Sequence, residues 1–293
     1  MTAQILDGRA LAKTMTGEIA QEVERFQSEH GWAPGIAVVQ VGEDPASSWY
    51  VRQIAKSFRS TGMRFAQHAL PEDAAADVLT ELLRALNADA QTNGIIVQMP
   101  LPEQLPQSLV TDTLDPAKDV DGIHPINAGR LMQQSGEAFA PATPAGGMEI
   151  LKRYGVELRG KHAVMVGRSN IVGRPMALLM LHQHATVTIC HSRTPDLGAV
   201  TRQGDVLVAA VGRPKIVTGD MIRPGAVVID FGVNVVDDKL VGDVDTEAAM
   251  GVASYITPVP GGTGPMTNVM LMANTLAAAK RQEASVRIDR VGA

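Results

Sequence analysis

Apolar residues recur at steps of three or four at Leu11, Met15, Ile19, Val23 and Phe26, so an amphipathic helix is expected within Ile5 to Phe26. GIAVVQVG, residues 35–42, then reads as a short buried strand. A second helix opens at 46–48 and ends at Thr61 and Gly62, and MRFAQHAL has the length and alternation of a strand. PEDAAADVLTELLRALN follows, with Pro and two acids suited to a helix N-terminus and Val78, Leu82, Leu83 and Leu86 on one face. NGIIVQMP is the next buried strand. Such alternation predicts a parallel sheet covered by helices on both faces.

The stretch from Pro100 to Pro144, rich in Gly, Pro and Asp, breaks the pattern and reads as a functional or domain-joining loop. Alternation then resumes with the strand KHAVMVG, a helix through RPMALLMLHQH, and the strands ATVTIC, GDVLVAAVG and GAVVIDFGV. A last helix is expected from about Met266 to Lys280, with the tail ASVRIDRVGA frayed beyond it. The fold class is therefore α/β, two α/β domains with parallel-type sheets, the second Rossmann-like. The expected division is 1–143 plus about 266–285, and 144–265.

Composition narrows the function classes. A chain of 293 residues accommodates two domains, and a net charge of -5 offers no basic surface for nucleic acid. The single cysteine, Cys190, rules out an internal disulfide and a multi-cysteine metal site and suits a reducing cytosol. His182 and His184 lie two apart on an expected helix and face apart, so no metal site is expected. The longest apolar runs fall short of the ~18 residues that span a bilayer, and MTAQILDGRALAK does not read as a secretion signal. The expectation is a cytoplasmic protein without membrane or nucleic-acid partners.

VMVGRSNIVGRPM places Gly167 and Gly173 at a strand-to-helix turn, where backbone N–H groups and the positive helix end can meet a pyrophosphate. It reads GxSxxxG rather than GxGxxG, which leaves a plain tight turn open. The strand ATVTIC runs into residues 191–194 with no acid at its end, whereas Ser192, Arg193 and Arg168 offer donors and positive charge for a 2′-phosphate. NADP is thus expected over NAD. Polar clusters also stand at 47–50, 98–100, 119–122 and 257–267. Each has a plain reading taken singly: Tyr50 as a core edge, Gln98 as a strand cap, Asp121 as a turn former, and the glycines as a connector.

Together, VGEDPASSWYV, GIIVQMPLP, KDVDGIHPINAGRL, GRSNIVGRPM and TPVPGGTGPMTNVML closely resemble the bifunctional methylenetetrahydrofolate dehydrogenase/methenyltetrahydrofolate cyclohydrolases, from LDGRALA to about Lys280. The resemblance implies two domains flanking a cleft, a homodimer joined mainly through its cofactor domains, NADP as oxidant, and tetrahydrofolate one-carbon derivatives as ligands. It implies that Tyr50 stacks on the folate with Ser47 nearby, and that Gln98 and Asp121 hold the folate end. It also implies that Gly167, Arg168, Ser169, Ser192 and Val233 line the NADP site, and that the loop 258–265, with Pro258, Gly261, Gly262 and Pro265, closes the cleft. One position departs: where the family carries a lysine one helical turn after the tyrosine, supported by the glutamine, this chain has Ile54. On a helix Lys56 lies about 120° round from Tyr50, and Arg52 about 160°, so neither substitutes. The expectation is a dehydrogenase with cyclohydrolase activity absent or very weak. The alternatives are a fully bifunctional enzyme that recruits Lys56 or another group, and a folate- and NADP-binding protein without turnover. Ala142, where cysteine is frequent, is neutral.

Overall fold

The computed structural model describes residues 2–291. In chain order, the first part carries β1 (Gln4–Ile5), α1 (Gly8–His30), β2 (Gly35–Val41), α2 (Pro45–Ser60), β3 (Arg64–Leu70), α3 (Ala76–Ala88) and β4 (Gly94–Val97). It continues with α4 (Gln107–Thr113), α5 (Pro125–Gln133), α6 (Ala142–Arg153), β5 (His162–Val166), α7 (Gly173–His182), β6 (Thr186–Cys190) and α8 (Leu197–Thr201). The last part holds β7 (Val206–Ala209), β8 (Val227–Asp230), β9 (Asn234–Val236), β10 (Lys239–Val241), α9 (Thr246–Met250), β11 (Tyr255–Ile256) and α10 (Gly264–Val291).

The chain forms two compact units. One comprises Thr14–Arg130, Glu137–Ala142 and the chain from Asn268 onward; the other comprises the segment up to Lys13, Leu131–Gly136 and Thr143–Thr267. In the first, β3, β2 and β4 form a parallel sheet in that order. All seven residues of β2 are buried, as expected of a central strand covered on both faces. Successive side chains alternate between faces, and Ala37, Val39 and Val41 share a core with Leu79, Leu83 and Leu86 of α3 and Val110 of α4. In the second unit six parallel strands run in the order β1-β11-β8-β7-β5-β6. The N-terminal segment, grouped with the first half from its sequence, belongs here because Gln4 and Ile5 pair with Tyr255 and Ile256.

Several expected boundaries move. Helix α3 starts at Ala76 rather than at Pro71, because Pro71 to Ala74 close a turn through the Ala74 N–H and the Pro71 carbonyl. The stretch 100–144 is not a bare loop: it contains α4, α5 and the start of α6. Helix α10 runs on to Val291 rather than ending near Lys280, and the strong helix formers LAAAKRQEA, 276–284, lead into the tail. Just before the tail, Lys280 and Arg281 pair with Glu22 and Glu137. Residues 292–293 of that tail lie outside the described residues.

Candidate functional site

In α2 the Asp44 carboxylate accepts from the Ser47 N–H at 2.7 Å, and Pro45 occupies the first helical turn, where its missing N–H is harmless. Val51, Ile54, Ala55 and Phe58 make the buried stripe of this helix, the i, i+3, i+4, i+7 pattern of an amphipathic face. Ile54 is 0% exposed, while Arg52 and Lys56 stand in solvent. Gln40 of β2 donates to Ser48 Oγ at 2.9 Å and to the Gly42 carbonyl at 3.1 Å, which ties the helix start to the sheet.

Tyr50 is partly buried on the same helix. Burial, and after it the negative charge of Asp121, holds its phenol well above the ordinary range, so it remains a neutral ring at physiological pH. Asp121 itself is pushed up to about 7 by burial and by Asp119. The two aspartates of DVDG thus differ in role. Asp119, fully buried, accepts from the Ile123 and His124 N–H groups at 3.1 and 2.8 Å and from Asn127 Nδ2 at 2.8 Å, and so fixes the turn. Asp121 has no such set of donors among the described residues, which leaves its oxygens available to a ligand. Gln98 is buried directly after β4, its N–H donating to the Val39 carbonyl at 2.8 Å, and the Met99–Pro100 peptide that follows is cis.

The second unit carries a cavity of about 330 Å³ past the carboxyl ends of β5, β6 and β7, the position where ligands bind open parallel sheets. Gly167 leaves β5 at φ +125°, and a Cβ there would stand 2.2 Å from the Ala210 carbonyl oxygen, so only glycine fits. Ser169 Oγ accepts from the Val172 and Gly173 N–H groups at 3.1 Å each, occupying two of the helix-end donors expected to face a pyrophosphate. Polar lining comes from Arg168, Ser169, His191, Ser192 and Arg213, and apolar lining from Val211, Leu197 and Ile216. Bare glycine, hydroxyls and two guanidinium groups suit a phosphorylated dinucleotide.

Residues 6–121 match the tetrahydrofolate dehydrogenase/cyclohydrolase catalytic domain, and residues 141–283 match the NAD(P)-binding domain of the same proteins. The chain belongs to the tetrahydrofolate dehydrogenase/cyclohydrolase family. It is 53% identical over 286 residues to the bifunctional protein FolD of Roseiflexus sp. (strain RS-1), covering 97% of this chain and 99% of that one. Among solved structures, the bifunctional FolD of Campylobacter jejuni aligns with a TM-score of 0.93 at 42% identity, covering 95% of this chain and 99% of that chain. The methylenetetrahydrofolate dehydrogenase-cyclohydrolase of Trypanosoma brucei, complexed with NADP cofactor and inhibitor, aligns with a TM-score of 0.92 at 38% identity, covering 98% and 99%.

Of the residues expected to receive the cofactor, Gly167, Arg168, Ser169 and Ser192 line this cavity. Gly173, Arg193 and Val233 are not among the lining residues. Gly173 serves the turn, where a Cβ would meet the Gly167 carbonyl at 2.5 Å. The Arg193 side chain is exposed while its N–H donates to His191 Nδ1, and Val233 is 64% exposed. His191 and Arg213, not singled out from the sequence, also line the cavity, and behind Arg213 the Asp243 carboxylate accepts from the Val211, Gly212 and Arg213 N–H groups at 2.5, 3.0 and 2.9 Å and from Asn234 Nδ2 at 3.0 Å. Asp230, next to it, accepts from the Gly232, Asp243 and Val244 N–H groups, yet burial still pushes it up to about 6. No local signal announces the capture of the 211–213 N–H groups by Asp243, which joins residues about thirty apart in sequence. The cluster at 257–267 is an irregular segment only through Thr263. Gly261 (φ +108°) carries its bend, a Cβ on Gly262 would stand 2.5 Å from the Pro258 carbonyl, and Pro265 already lies in the first turn of α10. Among the described residues no helix is long and apolar enough to cross a membrane, and no group of three or more His, Cys, Asp or Glu side chains could hold a metal ion.

Proposed function

We propose that this protein oxidises 5,10-methylenetetrahydrofolate to the 5,10-methenyl cation with NADP, and hydrolyses that cation slowly or not at all. The observation that carries this reading is Ile54, fully buried one helical turn after Tyr50, with the neighbouring cations of α2 turned to solvent. In the oxidation a carbon–hydrogen bond of the one-carbon bridge breaks, its electron pair leaves with the hydrogen, and the carbon keeps the positive charge. Bound NADP supplies the two-electron acceptor. The chain has only to position flat rings: Tyr50 offers a neutral aromatic face, Asp121 accepts from the pterin N–H edge, and Gln98 holds the same end. Arg168, Ser169 and Ser192 receive the dinucleotide. Hydrolysis asks more, since water must add to the cationic carbon and protons must leave and reach nitrogen. Lack of a proton-transfer group costs ~10² to 10⁴ in rate, and isoleucine neither donates nor accepts.

The relatives named bifunctional favour a second reading, in which both activities are present and 10-formyltetrahydrofolate is the product. Paired assays separate the two: NADPH formation from methylenetetrahydrofolate, and decay of methenyltetrahydrofolate absorbance above the buffer rate. Decay comparable with hydride transfer establishes the second reading and overturns the first. Ligand binding without NADPH formation would instead indicate a protein that binds without turnover. We also take the working form to be a homodimer. The apolar side chains of β9 and β10, with Val235 71% and Leu240 44% exposed, support a protein-covered surface, and sedimentation velocity tests it.

A further inference from the structure

We propose that Arg213 is a cofactor-specificity residue, adding to Arg168 a second positive charge at the dinucleotide cavity for the phosphorylated ribose; this rests on the NADP reading above. Arg213 follows β7 and lines the cavity together with Arg168, His191 and Ser192, and no carboxylate lines it. In a chain of net charge -5, that is a local reversal of sign.

The backbone beneath Arg213 is fixed. Three successive N–H groups, of Val211, Gly212 and Arg213, converge on the Asp243 carboxylate, which is 0% exposed and takes a fourth donor from Asn234. Pro214 restricts the residue before it to extended conformations. An exposed arginine on so constrained a base has less freedom to lose on binding. The other nearby cation, Lys215, is turned to Asp245 at 3.6 Å, and Arg193 is not at the cavity. A guanidinium matches the oxygens of a phosphate monoester, whereas the hydroxyl of an unphosphorylated ribose offers it no charge. The contribution should therefore appear as discrimination between cofactors rather than as general affinity.

The test uses the full chain, and its first measurement needs neither folate nor turnover. Titration calorimetry gives the affinities of 2′,5′-ADP and 5′-AMP for the wild type, Arg213→Gln and Arg213→Lys. Loss of the guanidinium should weaken 2′,5′-ADP roughly tenfold and 5′-AMP less than about twofold, with lysine retaining most of the difference. The ratio of kcat/KM for NADP to that for NAD should fall in parallel. Equal weakening of both nucleotides would mean that Arg213 merely forms a wall, and unchanged affinities would mean that it faces away; either overturns the inference while leaving the NADP reading intact. A wild-type chain that binds neither nucleotide overturns both.

Discussion

Replacing Asp121 by asparagine keeps the shape of the side chain and removes its charge, which should make the ligand-free protein more stable and a poorer binder of folate. The native carboxyl holds its proton to about pH 7, while the same group in an unfolded chain releases it near 3.9. Between those pH values the native state binds more protons than the unfolded one, so stability falls as pH rises through that window. The full loss, reached above pH 7, is about 4 kcal/mol, of which about 2 kcal/mol is present at pH 5. The stabilisation of Asp121→Asn over wild type should therefore grow by roughly 2 to 3 kcal/mol between pH 5 and pH 8.5. Urea denaturation of both ligand-free proteins at the two pH values measures it. Asp230, pushed up to about 6, titrates in both proteins and cancels in the difference. Parallel pH dependences would refute the reasoning, for they would mean that Asp121 is an ordinary surface carboxylate. The same substitution should raise KM for methylenetetrahydrofolate at least tenfold, because an amide offers no charge to the pterin donors.

Ile54→Lys should raise methenyltetrahydrofolate hydrolysis by at least about a hundredfold and lower the Tm, since it carries an ammonium into a fully buried position; a folded, dehydrogenase-active variant with no gain in hydrolysis would count against the assignment of position 54. Gly167→Ala should raise KM for NADP about tenfold or more and leave the affinity for folate unchanged, because its Cβ would drive into the Ala210 carbonyl; unaltered NADP kinetics would show that the turn yields. Asp44→Ala should destabilise the protein by about 1 kcal/mol through loss of the cap on α2, read as a shifted urea midpoint.

Strands β2, β4, β5, β7 and β8 were legible because each is a short apolar run bounded by glycine and polar residues. The two-residue strands β1 and β11 carry no period of their own; each exists because a neighbour supplies hydrogen-bond partners more than 200 residues away or across the sheet. Helices α4 and α5 are hidden among prolines and glycines that cap and separate them rather than prevent them. At the candidate site Tyr50, Gln98 and Asp121 each had a bland alternative, and the resemblance, rather than periodicity, singled them out. What no local pattern could convey is the electrostatic tie between Tyr50 and Asp121, or the capture of three loop N–H groups by Asp243. Both depend on which distant turns the fold brings together.

Ile54 also changes the charge balance beside Tyr50. Oxidation turns a neutral one-carbon bridge into a cation, and an ammonium one turn along α2 would repel that product as it forms. An isoleucine does not, and Asp121, whose charge is felt at Tyr50, attracts the cation when it is ionised. A protein so arranged should hold methenyltetrahydrofolate more tightly than methylenetetrahydrofolate. If the cation is not hydrolysed in place, as proposed above, its departure rather than its formation should then be the slow event.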